Sequence, residues 1–200
     1  MNKITTVFAW GNKLTSLNLS GKTKLTGLYC QSNQLTSLNV SGASKLQSLY
    51  CYDNQLTSLN VSGCSALKTL YCFWNNISGS GMTTLVGSLP TRTASNPGTL
   101  RVIYSNYENN TMTADQITTA INKNWLPKKY DGSSWVDLTA TQRGDVNGDG
   151  VVNILDVTFL INQLLSGDAN SNANADVDGN GLKNIADVTC LVGMLLTGSN

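Results

Sequence analysis

The chain repeats itself every 21 residues over its first 78 positions. Leu14, Leu35, Leu56 and Ile77 hold one slot of the period, and Leu25, Leu46 and Leu67 a second. Leu28, Leu49 and Leu70 hold a third, and Cys30, Cys51 and Cys72 a fourth. Asn12, Asn33, Asn54 and Asn75 keep the same spacing. One such unit is too short to bury its own apolar face, so units must stack and share a continuous strip. Each Leu-x-Cys segment predicts a short strand, paired in parallel with the next turn at about 4.8 Å. The Asn after each strand is placed to form a ladder whose amides satisfy backbone groups in the turns. Val7-Phe8-Ala9 falls one period before Leu28-Tyr29-Cys30, so the repeat is expected to be already under way at residue 1.

The run Leu46-x-x-Leu49-x-Cys51-x-x-Asn54-x-Leu56 resembles the leucine-rich-repeat signature, with Cys in the third apolar slot. The short period and the second half, Leu56-x-x-Leu59-x-Val61, look most like internalin-type repeats of bacterial surface proteins. The resemblance covers residues 4–78 and implies an α/β class: a short-repeat leucine-rich-repeat solenoid with a parallel β-sheet. Beyond it, Met82, Leu85, Val86 and Leu89 have helical spacing, and Leu100 and Val102 read as the next strand. Thr113 to Gln116 reads as a capping box, with Ile117, Ala120, Ile121 and Trp125 following on one face. Lys128 to Tyr130 reads as a last strand before Asp131-Gly132, and a helix is expected to cover the open end of the sheet.

Strand alternation points Cys30, Cys51 and Cys72 inward and Tyr29, Tyr50 and Tyr71 outward. Three small buried thiols are the plain reading; a disulfide would have to bridge side chains held at strand spacing, which is long for one. Outside, Phe8, Tyr29, Tyr50 and Tyr71 form one column. Trp10, Gln31, Tyr52 and Phe73 form the next, with Gly11, Ser32, Asp53 and Trp74 beside them. Two readings stand: a binding surface for a protein or glycan built on Phe8, Tyr29, Tyr50, Tyr71, Tyr52, Phe73 and Trp74, or rings that merely stack along the sheet. The other half of each turn presents small polar residues such as Thr36, Ser37, Asn39 and Ser41.

Charge is split along the chain. Residues 1–143 carry twelve Lys and Arg against five Asp and Glu; residues 144–200 carry Lys183 against seven Asp. The acidic end contains a duplication. Asp145, Asn147, Asp149, Val151, Asn153 and Asp156 recur 31 residues later as Asp176, Asp178, Asn180, Leu182, Asn184 and Asp187. These are positions 1, 3, 5, 7, 9 and 12 of a calcium loop, with Val151 and Leu182 offering backbone carbonyls and Gly150 and Gly181 the sharp turn. Each loop gathers three carboxylates. Two such charges at 4 Å repel by about 4 kcal/mol at an effective dielectric near 20, so closure calls for a cation in each loop. Magnesium, which demands a tighter octahedron and keeps its waters, fits less well than calcium.

Each loop runs into an apolar helical stretch, and no helical pattern precedes Asp145. Loop–helix, linker, loop–helix, carried by Gly144-Asp-Val-Asn-Gly-Asp-Gly-Val-Val-Asn153, resembles dockerin domains over 144–198. The resemblance implies a small all-α dockerin with two Ca2+ ions and a cohesin-like partner. Ile154-Leu155 and Ile185-Ala186 stand where many dockerins carry Ser-Thr, and Lys183 stands where the second loop has an apolar residue. Val157, Leu160, Ile161 and Leu164, with Val188, Leu191, Val192 and Leu195, predict the two-helix core. Leu155 and Phe159, with Ala186, Cys190 and Gly193, face the other way; they meet a partner or pack against the repeats near Trp135.

The expected organisation is a solenoid with its C-terminal cap at 1–132, a linker at 133–143 and a dockerin-like calcium-binding domain at 144–200. The absence of histidine removes His triads, His general bases and His-ligated zinc. The acids outside the loops, Asp53, Glu108, Asp115, Asp131 and Asp137, are scattered, where glycoside hydrolysis needs a facing pair. The overall charge of +1 gives no general attraction to nucleic acid, and no apolar run approaches the ~18 residues of a membrane span. Met1 to Trp10 do not read as a signal peptide, while the loops and both resemblances point to an extracellular or bacterial cell-surface setting. The expected function is a non-catalytic binding or adaptor protein. The alternatives are an accessory subunit of a polysaccharide-degrading complex and a structural spacer of a larger surface protein.

Overall fold

The computed structural model describes residues 3–104, 108–139, 144–147, 152–167 and 173–197. The chain divides into two compact units, Met1–Leu138 and Thr139–Asn200.

In the first unit the repeats become strands β1 (Thr6–Phe8), β3 (Gly27–Tyr29), β5 (Ser48–Tyr50) and β6 (Thr69–Tyr71), each shifted one residue ahead of the Leu-x-Cys segment. The second halves of the first two turns give β2 (Ser16–Asn18) and β4 (Ser37–Asn39), a separate parallel pair. The main sheet is completed by β7 (Gly98–Tyr104), β8 (Trp125–Tyr130) and β9 (Trp135–Asp137), in the order β1-β3-β5-β6-β7-β8-β9. Val7, Leu28, Leu49, Leu70 and Leu100 stand opposite one another from strand to strand, and the last four are fully buried. Cys30, Cys51 and Cys72 line the same core as free thiols. Burial pushes Cys30 up to about 12, and holds Cys51 and Cys72 well above the ordinary thiol range.

The Asn ladder joins successive turns. Asn54 Oδ1 accepts from Leu35 N at 2.9 Å, while its Nδ2 donates to the carbonyls of Cys30 and Cys51, each at 3.1 Å. Asn33 and Asn75 repeat the pattern one turn either side. Asn110, outside the 21-residue spacing, is a further rung: it accepts from Ile77 N at 2.7 Å and donates to Cys72 O at 2.8 Å.

The residue before each Asn is left-handed: Gly11, Ser32, Asp53 and Trp74 have φ of 67°, 55°, 56° and 52°. In the inner turns the freed N–H groups donate to the next turn's carbonyls, as Asp53 N does to Phe73 O at 3.1 Å and Asn54 N to Trp74 O at 3.0 Å. The fourth turn replaces those carbonyls with one carboxylate. Glu108 accepts from Trp74 N at 2.6 Å, Asn75 N at 3.3 Å, Tyr104 N at 3.1 Å and Asn110 N at 3.1 Å.

Helix α1 (Gly79–Ser88) follows the fourth strand and buries Met82, Leu85 and Val86 as their spacing predicts. It approaches so closely that a Cβ on Gly81 would lie 2.1 Å from Thr57 O, and Ser88 Oγ accepts from Val61 N at 3.1 Å. Helix α2 (Ala114–Asn122) begins at the expected capping box of Thr113 and Gln116.

Two expectations about this end need correction. Lys128–Tyr130 lies in β8 but is not the last strand, and the sheet ends on β9 rather than beneath a helix. Segment 133–143 is not all linker, because Trp135–Asp137 turns back antiparallel to β8. The turn is closed by Asp131, whose Oδ1 accepts from Ser133 N at 2.8 Å and Ser134 N at 2.9 Å; these bonds, Ser134 first, hold its carboxyl below the usual range. Residues 140–143 of the expected linker lie outside the described residues.

In the second unit α3 (Ile154–Ser166) and α4 (Ile185–Thr197) pack together. Val157, Leu160, Val188 and Leu191 are buried as expected, with Leu164, Val192 and Leu195 partly buried against them. Ile161 is exposed, contrary to its expected place in the core. Its share of the core is taken by Val146 and Val152 of the first loop and Ala175 and Val177 before and within the second. Periodicity along a helix cannot show that loops will fold over it.

Candidate metal centre and aromatic face

The two loops of the second unit close in the same way. Asp156, buried at the start of α3, accepts from Asn147 N at 3.0 Å and Asn153 N at 2.8 Å. Asp187, buried at the start of α4, accepts from Asp178 N at 3.1 Å and Asn184 N at 2.7 Å. Position 12 therefore ties positions 3 and 9 together in both loops. Asn153 and Asn184 also cap their helices, accepting from Leu155 N at 2.7 Å and Ala186 N at 2.8 Å. Their oxygens are thus shared with the helix, consistent with a position that often ligates through water.

In the second loop, ligand oxygens of Asp176, Asp178 and Asp187 all lie within 4.8 Å of one another. Asp176 is aimed by Gly179 N at 2.9 Å and Gly181 N at 3.0 Å, and Asp178 by Asn180 N at 3.0 Å. Gly179 and Gly181 supply the left-handed backbone, with φ of 76° and 83°. Leu182 turns its side chain to solvent, as suits a position that ligates only by its carbonyl. At such separations each carboxylate pair repels by roughly 3 kcal/mol at an effective dielectric near 20. An all-oxygen set with this charge fits a hard divalent cation. In the first loop, Asp145 and Asp156 are buried and Asn147 is half-buried; Asp149 and Val151 lie outside the described residues.

Of the expected helix contacts, Leu155, Phe159 and Ala186 are exposed, and a Cβ on Gly193 would meet open space. Cys190 is a correction: it is half-buried, packs against the small core, and its Sγ donates to Val177 O at 3.4 Å.

On the first unit, Phe8 stacks on Tyr29 and Tyr50 on Tyr71, at centroid distances of 4.9 and 4.4 Å. Tyr52 stacks on Phe73 at 4.5 Å. Phe73 was expected outside with the others but is only 7% exposed. Tyr52, Trp74, Tyr104 and Trp135 pack around its ring, so it supports the cluster. Trp74 stays 42% exposed and Phe8 71%. Arg101 continues the tyrosine column on β7, its guanidinium 4.4 Å from the Tyr71 centroid and 4.7 Å from that of Trp135. Sequence reading missed Arg101, Tyr104, Tyr130 and Trp135 because insertions break the period before each of them.

Residues 143–196 match the family model of the type I dockerin domain. No curated protein matches the chain significantly. A type I dockerin domain therefore forms this end of the chain; such domains bind calcium, and a dockerin implies a cohesin partner in an extracellular complex. Among the described residues no helix is long and apolar enough to cross a membrane.

Proposed function

We propose that the protein is a non-catalytic extracellular adaptor. Its dockerin, holding one calcium ion in each loop, attaches it to a cohesin-like partner. The stacked turns, read as an internalin-like leucine-rich-repeat solenoid, use their aromatic face to bind a protein or glycan. The observation that carries this reading is a solvent-facing aromatic column, from exposed Phe8 to half-buried Tyr29, Tyr50 and Tyr71, in a chain that ends in a dockerin, since rigid rings at a surface are favoured binding contacts. Three of the five acids of the first unit are engaged structurally, and the other two, Asp53 and Asp115, are exposed and far apart in sequence, which supports a non-catalytic role. Glu108 is engaged by backbone N–H groups, Asp131 closes a turn and Asp137 pairs with Lys128.

The test is calcium-dependent capture on an immobilised cohesin module and, separately, on candidate glycans, comparing wild type with Phe159→Ala and Tyr50→Ala. Phe159→Ala should weaken cohesin capture alone, and Tyr50→Ala ligand capture alone. Turnover of plant or host glycans by the wild type would contradict the non-catalytic reading and favour a hydrolase subunit.

A further inference from the structure

The first 52 residues contain five lysines and no acid; the first carboxylate along the chain is Asp53. Three of those lysines, Lys3, Lys24 and Lys45, occupy the same slot of the repeat. Each stands two residues before a rung of the backbone ladder in which Thr26 N donates to Thr5 O at 2.7 Å and Gln47 N to Thr26 O at 2.8 Å. The three are therefore in register on adjacent turns, about 4.8 Å apart. All three are exposed, and among the described residues the only salt bridge is Lys128 with Asp137, elsewhere in the sheet. Five residues on from each lysine, in the strand that follows, stands the aromatic column of Phe8, Tyr29 and Tyr50, with Lys24 and Lys45 on the turns that lead into it. The small Thr6, Gly27 and Ser48 lie between.

The stack thus carries a cationic row ahead of the strands and an aromatic row at their ends, both repeated by the same one-turn translation. A site with translational repetition matches a ligand with translational repetition. A linear polymer can place the same group against every turn, whereas a folded protein surface does so only where it is itself built of stacked repeats. The cationic row sets the sign of the group. Like charges held this close, without acids among them, are relieved by a row of anions. The ring row offers edges and the tyrosine hydroxyls, because Phe8 stacks on Tyr29 and Tyr50 on Tyr71, while Tyr29 and Tyr50 meet edge to face. We infer that this face takes a linear anionic polysaccharide, laid along the stack with one carboxylate-bearing sugar near each lysine. The inference rests on the binding reading proposed above and names its ligand class.

The experiment is calorimetric titration of the whole chain, in calcium, with polygalacturonate oligomers of increasing length. Neutral oligomers of equal length and poly-glutamate serve as comparisons. Affinity should climb with length until the turns are spanned, and fall with added salt. The Lys24→Gln/Lys45→Gln variant, altered only at exposed side chains, should lower the salt slope by about one per lysine removed. Absence of polygalacturonate binding, or binding indifferent to those two substitutions, overturns the inference. Equal binding of poly-glutamate overturns it in favour of an acidic protein. If a different ligand is lost in Tyr50→Ala while the lysine variant still binds it, the surface is a binding face for something other than a polyanion, and the adaptor reading survives without this one.

Discussion

Replacing Asn54 by Ala isolates the contribution of one ladder rung. The amide makes four hydrogen bonds, one accepted from Leu35 N and three donated to the carbonyls of Cys30, Cys51 and Tyr52. The carbonyls do not become orphans. Cys30 O keeps the Asn33 amide, Cys51 O the Asn75 amide and Tyr52 O the Ser32 N–H. Leu35 N–H, buried with its fully buried residue, loses its acceptor. One orphaned buried donor costs about 1–3 kcal/mol, and the lost amide bonds bring the expected loss to about 2–4 kcal/mol. For a unit of this size that lowers the melting temperature by roughly 10 °C. Asn12 is exposed and donates only to Ala9 O and Trp10 O, so Asn12→Ala should stay within about 0.5 kcal/mol. Differential scanning calorimetry in saturating calcium measures both, with the dockerin transition as internal reference. Equal shifts for the two variants would refute the view that shared amides hold the turns together.

Glu108→Gln should cost the first unit about 2–3 kcal/mol in urea unfolding, because either amide orientation turns an NH2 toward backbone donors on Trp74 and Tyr104 or on Asn75 and Asn110. An unmoved midpoint would contradict the substitution of a carboxylate for the missing carbonyls. In the folded protein a thiol reagent near pH 8 should label Cys190 well before Cys30, Cys51, Cys64 or Cys72, since those four are buried and held protonated. Rapid labelling of more than one thiol would be inconsistent with that core. The same burial gives a pH dependence. The folded thiols titrate above the ordinary 9.0, Cys30 near 12, so the unfolded chain loses protons first and first-unit stability should decline as pH rises from about 9 toward 12. A flat melting profile over that window would count against it.

What could be read from the sequence was whatever depended on local spacing. The period placed Leu28, Leu49 and Leu70 in register and Asn33, Asn54 and Asn75 on the ladder, because a stack translates one position onto its equivalent. Asn110 performs the same task but follows a helix and a longer strand connection, so its spacing carries no signal. Phe73 shows the opposite failure. Its slot faces outward in every turn, yet Tyr104 and Trp135 arrive from distant segments and close over it. Strand β9 was hidden for a related reason: Asp131-Gly132 reads equally as an end or as a hairpin, and only ring contacts made by Trp135 decide. In the second unit the loop positions were legible because chelation fixes residue type at fixed offsets. Ile161 was misplaced because helical periodicity does not register that loop residues such as Val146 and Val177 complete the core while Ile161 stays exposed.

If the acidic loops take calcium, the small helical unit depends on the metal for its stability. With metal at about 100 times its dissociation constant, one ion adds ~2.7 kcal/mol to the folded state. For a unit of 62 residues, Thr139–Asn200, that raises the melting temperature by roughly 10 °C or more. Circular dichroism melts of the whole chain in calcium and in chelator measure it directly. Chelator should lower the transition of residues 139–200 by at least that amount and leave the transition of the stacked turns in place. Superimposable melts in the two conditions would contradict it.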